Sequence, residues 1–210
     1  MKVAIIGATG RTGLPLVEEL LHRGHTVVTL VRDPGKLGRL AEQVGVIAGD
    51  SRTIEDLDRL VAGADAVISA LGPTAKESSL HADTAEALIR SMKGAGVRRF
   101  VGVSGAGIDV PGDEKSFSAK LISKAIQTLG GDVVKDKPAE YEMYAASDLD
   151  WTLVRPPRLT DGEATRQLEH HAHRSTRSTK ITRGDLASFL VDVVEKDLYV
   201  RQAPFVATAR

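Results

Sequence analysis

Seven residues near the start of the chain, Gly7-Ala8-Thr9-Gly10-Arg11-Thr12-Gly13, have types and spacing suited to holding a pyrophosphate. They follow the apolar run Val3–Ile6 and lead into a segment with helical spacing. In that setting Gly7 permits a tight turn out of a strand, Gly10 lets the backbone approach the phosphates, and Gly13 lets a helix pack close on the strand. The amides at the start of that helix complete an anion site. About twenty residues past the last glycine, where a nucleotide-binding unit meets the adenosine ribose, the chain reads Val31-Arg32-Asp33. An acid there accepts from the ribose hydroxyls, whereas an arginine pairs with a 2′-phosphate. Arg32, with Lys36 as a second charge, favours NADPH over NADH. Asp33 before Pro34 also reads as the N-cap of the next helix.

Further along, Gly49-Asp50-Ser51 ends a third apolar run and Ala70-Leu71-Gly72-Pro73 a fourth. Asp50 can accept from an adenine amino group or cap a helix starting near Thr53. Ala70, Leu71 and Gly72 are small or flexible enough for a cofactor to lie across the strand ends. Ser104, Tyr141 and Arg158 are the candidates for chemistry: a hydroxyl at the end of a fifth run, a phenol on a late helix, and a cation after two prolines.

These residues need a frame, and the chain spells one out. The β-branched runs Val3–Ile6, Thr26–Val31, Val44–Ala48, Ala66–Ala70 and Phe100–Val103 alternate with Leu14–Arg23, Lys36–Gln43, Thr53–Val61 and Leu80–Lys93, where apolar residues recur every three or four positions. Continuous apolar strands separated by helices predict a doubly wound parallel α/β sheet, the Rossmann fold, because right-handed crossovers cover both faces. After residue 107 the rhythm changes. Helices are predicted over Phe117–Leu129, Lys137–Ser147 and Leu186–Val194, and strands over Trp151–Val154 and Phe205–Ala207. With no linker visible, residues 1–210 read as one domain: a nucleotide-binding half, 1–107, and a substrate-side half, 108–210, that completes the sheet.

Composition excludes other classes. There are 210 residues, 28 Lys+Arg against 28 Asp+Glu, and no cysteine. Zero net charge argues against nucleic-acid binding and against a polybasic membrane surface, and the lack of cysteine removes disulfides, thiolate metal sites and cysteine nucleophiles. No run approaches the roughly 18 apolar residues of a membrane span, and Val3–Ile6 is too brief for a signal-peptide core, so a cytoplasmic location is expected. The four Phe, three Tyr and one Trp all lie at or beyond Phe100. Of these, Phe117, Tyr141, Tyr144 and Trp151 are candidates to stack on a planar acceptor. Residues 166–183 gather Arg166, His170, His171, His173, Arg174, Arg177, Lys180 and Arg183, read either as a polar loop on the substrate side or as a solvated surface segment. His170 and His173 lack a carboxylate at ligand spacing, so no metal is expected.

Together these motifs resemble the atypical short-chain dehydrogenase/reductases, in particular the NmrA-like NAD(P)H-binding proteins and the flavin reductase (biliverdin reductase B) type. The match includes Leu149-Asp150-Trp151-Thr152-Leu153-Val154-Arg155-Pro156-Pro157 and Ile181-Thr182-Arg183-Gly184-Asp185-Leu186, and it covers residues 3 to about 190. The resemblance implies NADPH held through Gly10, Arg11, Thr12, Arg32, Asp50, Ser51, Leu71, Gly72, Ser104 and Pro156-Pro157. Tyr141 is followed four positions on by Ala145 and Tyr144 by Asp148, so the family's Tyr-x-x-x-Lys order is missing at both. Gly105 stands where the flavin-reductase type carries its functional serine, and Arg158 follows the prolines where that type has His.

Without that donor pair, the expected reaction is hydride transfer from NADPH to a flavin, quinone or similar conjugated small molecule, which takes its proton from water. Two alternatives are a dinucleotide-sensing regulator with a protein partner and no turnover, and a ketoreductase, isomerase or dehydratase of a biosynthetic pathway.

Overall fold

The computed structural model describes residues 1–72, 79–116, 121 and 131–209, with 131–135 described by their helical backbone alone. Pro73, Phe117 and the helix expected over Phe117–Leu129 lie outside that range. Six strands, β1 (Lys2–Ile6), β2 (Thr26–Val31), β3 (Gly45–Ala48), β4 (Ala66–Ser69), β5 (Arg99–Val103) and β6 (Asp150–Val154), form one parallel sheet in the order β3-β2-β1-β4-β5-β6. Helices α1 (Gly13–His22) and α5 (Arg183–Glu195) cover one face; α2 (Ile54–Val61), α3 (Leu80–Ala95) and α4 (Gly131–Ala146) cover the other. This is the expected Rossmann architecture.

Alternation along each strand builds two cores. In β1, Val3 and Ile5 pack with Leu16, Val17 and Leu20 of α1 and with Leu190 of α5, while Ala4 and Ile6 pack with Leu57 and Leu60 of α2 and Leu88 of α3. Burial on both faces is why β4 reads Ala-Val-Ile-Ser with no polar alternation. The strand order reverses between β1 and β4, so the loops after these two strands diverge and leave a crevice at their C-terminal ends.

Three local expectations change. Lys36–Gln43 is not an α-helix: Pro34–Glu42 winds as tighter 3-10 turns, broken at Gly38 (φ 55°, ψ −135°). The helix expected at Lys137 starts at Gly131. Three short strands went unseen, β7 (Arg158–Thr160), β8 (Leu168–His171) and β9 (Lys180–Thr182), being too brief and too polar to show a period. The last strand, β10 (Phe205–Thr208), pairs antiparallel with β8 and meets the end of β6 through a single Arg155–Phe205 bridge.

The C-terminal half is fastened by buried charges. Arg155, just past β6, is 0% exposed. Its guanidinium donates to both Asp113 oxygens (2.6 and 2.7 Å) and to the Ala203 carbonyl (2.7 Å), and it stacks 3.8 Å from the Phe205 ring. Residues 108–116 are thereby tied down, with Glu114 N donating to the His173 carbonyl at 3.0 Å. The Ile181–Leu186 motif serves structure as well. Thr182 caps α5 by accepting from Asp185 N, and the buried Asp185 carboxylate accepts from Thr165 Oγ1, Arg166 N and Thr208 Oγ1.

Candidate functional site

The sheet places most of the expected cofactor residues just beyond a strand's C-terminal end: Gly7 after β1, Arg32 after β2, Asp50 and Ser51 after β3, Ala70 to Gly72 after β4, Ser104 and Gly105 after β5, Pro156 and Pro157 after β6; Gly13 opens α1 and Lys36 lies in the 3-10 turns. A cleft at the crevice is lined by Gly7, Thr9, Arg32, Asp50, Ser51 and Leu71, together with Leu30 and Leu80. A second groove, between Asp65, Arg98, Asp150 and Asp197, lies at the opposite ends of the strands. The Arg98–Asp150 ion pair lines it, and no expected cofactor residue does.

Sterics explain the glycines. Gly7 adopts φ +79°, and a Cβ there would stand 2.8 Å from the Ala70 carbonyl carbon and 2.9 Å from Leu71 N. At Gly13 a Cβ would overlap the Gly7 carbonyl oxygen at 2.1 Å. Gly10 N donates to the Gly7 carbonyl (3.1 Å) and the Gly10 carbonyl accepts from Leu14 N (3.0 Å), which turns the chain straight into α1. The amides of Arg11, Thr12 and Gly13 therefore stand at a helix N-terminus beside the cleft, where an anion is favoured.

On the adenosine side, Arg32 is exposed at the cleft rim. Asp33 caps the following turns by accepting from Gly35 N at 3.1 Å, and Lys36 lies 4.0 Å from its carboxylate. Asp50 is not the cap of α2: Thr53 holds that position, and Asp50 N donates to Asp56 Oδ2 (2.8 Å). Its carboxylate is instead gripped by Arg52 Nε, Nη2 and backbone N at 2.9 to 3.0 Å. Those bonds, led by the Arg52 side chain, hold its pKa down at about 2. Asp50 therefore only accepts hydrogen bonds near neutral pH, as an adenine amino group requires. Arg52 is a residue the sequence reading missed. Ser51 is buried and bonded to Thr84 Oγ1 (2.9 Å), so it shapes the wall of the cleft.

At the other end, Ser104 N donates to the Val154 carbonyl (2.8 Å) and Ala106 N to the Pro156 carbonyl (3.1 Å), aligning this loop with the prolines. Ser104 Oγ is buried and has no hydrogen-bond partner among the described residues. Such a group in a native fold calls for an explanation, and a ligand amide is one. Tyr141 is half-buried, lies edge-on to Trp151 at 5.8 Å, and keeps its proton because burial raises its pKa. Tyr144 and Trp151 leave the list of acceptor-stacking rings. Tyr144 is buried against Phe100 (4.1 Å, 13° between planes), and Trp151 is 4% exposed.

Lys137 is a second residue the sequence reading missed. Its Nζ donates to the Val103 carbonyl (2.8 Å), one peptide before Ser104, and pairs with Glu140 at 2.9 Å. Four residues before Tyr141, it shares that residue's face of α4. The signal was present as Lys-x-x-x-Tyr, the reverse of the order sought. Arg158 is exposed at the start of β7, opposite Lys180 of β9. Residues 166–183 are not a loop throughout: they contain β8 and β9, and several of their basic groups are engaged. His170 Nδ1 meets the Tyr199 hydroxyl (2.6 Å), His171 Nδ1 accepts from the amides of His173 and Arg174, and Arg183 pairs with Asp161 at 2.5 Å.

A dinucleotide fits this site on two counts. The glycine backbone forms a cradle with no room for side chains, and a buried hydroxyl at the far end lacks a partner. Comparisons agree. The chain is 35% identical over 175 residues to YwnB of Bacillus subtilis, covering 77% of this chain and 74% of that one. A Burkholderia pseudomallei protein named as exported superposes with a TM-score of 0.80 at 32% identity over 99% of both chains. ChuY, an anaerobilin reductase from Escherichia coli O157:H7, shares the fold with a TM-score of 0.81 at 21% identity, covering 99% of this chain and 97% of that one. Among the described residues no helix is long and apolar enough to cross a membrane. A model of the NAD(P)H-binding family matches residues 7–197, and the chain belongs to that family.

Proposed function

We propose that the protein is an NADPH-dependent reductase that reduces a flavin, a quinone or a similar conjugated small molecule. The observation that carries this reading is the buried Ser104 hydroxyl just past β5, which has no hydrogen-bond partner among the described residues and sits in the loop that Ala106 N ties to the Pro156 carbonyl. A reduced nicotinamide supplies a hydride when bound. The amides at the start of α1 hold the pyrophosphate, Arg32 pairs with the 2′-phosphate, and Ser104 orients the carboxamide so that one face of the ring meets the acceptor. Tyr141 and Lys137 border the acceptor side. Tyr141, protonated at neutral pH, can hydrogen-bond the acceptor's oxygen or nitrogen, and Lys137 fixes the strand end beside it. Arg158 faces solvent at the rim, where it can attract an anionic acceptor.

The test is NADPH oxidation followed at its absorbance with a panel of flavins and quinones. Turnover with at least one supports the reading, whereas tight NADPH binding without oxidation by any acceptor sinks it in favour of a dinucleotide sensor. Ser104→Ala is expected to lower turnover by about tenfold, for the loss of one positioning hydrogen bond.

Cofactor choice rests on Arg32. Arg32→Ala should weaken NADPH by roughly 10- to 100-fold and leave NADH within about twofold, because only NADPH carries the phosphate and a charge-assisted contact contributes about 1.5–3 kcal/mol. Equal losses in fluorescence titrations with the two cofactors refute the assignment.

A further inference from the structure

α3 begins with a contact that the reductase reading does not use. His81, its second residue, is 2% exposed, and Asp136 of α4 is 5% exposed. Asp136 Oδ2 accepts from His81 N at 2.8 Å and lies 2.7 Å from His81 Nδ1, while Oδ1 accepts from Ala82 N at 2.8 Å. The carboxylate thus caps α3 from another helix, whereas Ser79, the local cap residue, turns to Asp83. On its far side His81 Nε2 lies 3.3 Å from the Leu71 carbonyl oxygen, at the cleft.

Both ring nitrogens therefore face atoms that only accept. A neutral imidazole has one N–H, which the carboxylate holds at Nδ1, leaving the Nε2 lone pair against a carbonyl lone pair. The imidazolium alone satisfies both contacts. Leu71 in turn lies against the phosphate loop: the Ala70–Leu71 peptide, one unit before the carbonyl that His81 meets, leaves no room for a methyl group at Gly7. A displaced Leu71 peptide is thereby felt at the turn that presents the α1 amides.

We propose that His81 and Asp136 are positioning residues for the cofactor, acting through the Leu71 carbonyl while the His81 ring carries both protons. This rests on dinucleotide binding in the cleft. Among the described residues, several other charged groups on or beside these elements have partners: on α4, Lys137 and Glu140 bind each other and Lys137 reaches Val103; on α3, Asp83 accepts from Ser79; after β3, Asp50 is held by Arg52.

The experiment is a fluorescence titration of the full chain with NADPH and with NADH from about pH 5.5 to 9, the span in which histidines change charge. Wild type, His81→Gln and Asp136→Asn are compared, with His81 protonation followed by NMR and folding by circular dichroism. The wild-type Kd should rise about tenfold as the His81 ring loses its proton, with both cofactors, the loss expected for one charge-assisted hydrogen bond. His81→Gln should bind at the weak limit throughout and lose that step. Changes of charge elsewhere in the protein or on the cofactor are common to both proteins and cancel in the difference. If the ring stays charged across the range, the expected result is a flat wild-type profile and about tenfold weaker binding by His81→Gln at every pH. Matching wild-type and His81→Gln profiles overturn the proposal. So does a wild-type Kd that ignores a His81 titration seen by NMR, or a ring neutral throughout; if His81→Gln does not fold, the wild-type titration against the NMR signal decides. Absence of NADPH and NADH binding at every pH would instead refute dinucleotide binding itself.

Discussion

Gly13→Ala is expected to abolish dinucleotide binding, with Kd raised more than about 100-fold, and to cost the fold about 3 kcal/mol, the upper end for overpacking. The added methyl group would meet the Gly7 carbonyl oxygen at 2.1 Å, the Ala8 carbonyl oxygen at 2.6 Å and the Ala8 carbonyl carbon at 2.7 Å. All three are backbone atoms of the β1–α1 turn, so no side-chain rotation relieves the overlap. Either α1 withdraws from the sheet, parting Leu16, Val17 and Leu20 from their core, or the turn opens and its amides lose their aim. Gly72→Ala is the matched control: among the described residues, its chain neighbours aside, no atom lies within 4 Å of a Cβ there. It should fold like the wild type, and any affinity it loses measures how closely the cofactor approaches. Thermal unfolding and fluorescence titration check both, and a Gly13→Ala protein with wild-type Tm and Kd would falsify the account.

The second large effect is expected at Arg155. Arg155→Ala should destabilise by about 3–5 kcal/mol, the usual loss when one partner of a buried ion pair is removed. Asp113, whose side chain is 8% exposed, would lose its bidentate partner and keep, among the described residues, only Lys115 at 3.9 Å and the Val110 amide at 3.1 Å, and the Ala203 carbonyl would lose its donor. The double variant Arg155→Met, Asp113→Leu should recover much of that loss, because it removes both charges and keeps the volume. Function should divide in the same experiment. Arg155 ties residues 108–116 to the end of β6, near Tyr141, and touches none of the adenosine-side residues. Urea unfolding gives the stability. At a temperature where the single variant stays folded, acceptor reduction should fall by at least tenfold while the NADPH Kd holds within about threefold. A loss under about 1 kcal/mol would show that the ion pair is not the fastening it is taken for.

The nucleotide half was legible because its signals are local. Gly7, Gly10 and Gly13 are read from spacing, β1 to β5 from unbroken apolar runs, and Arg32 from its distance past the fingerprint. Asp33-Pro34 announced its cap, though not that Gly38 would break the helix beyond it. The second half was harder to read for the same reason inverted. Strands of three or four residues such as β7 and β9 carry too few positions to show a period, and a basic run such as 166–183 looks alike whether its side chains face a ligand or their own neighbours.

By itself, then, the sequence determined the Rossmann sheet, the glycine turn and the positions of Arg32 and Asp50 beyond the strand ends, since each follows from backbone sterics and side-chain alternation over a few consecutive residues. Tertiary structure alone decided that Arg155 meets Asp113 across 42 positions and His81 meets Asp136 across 55. It also decided that Tyr144 is core, and that the Ser104 hydroxyl stands buried without a partner among the described residues. These depend on which groups are brought together out of water, where an unpaired charge or donor is costly, and no local pattern in the chain records that.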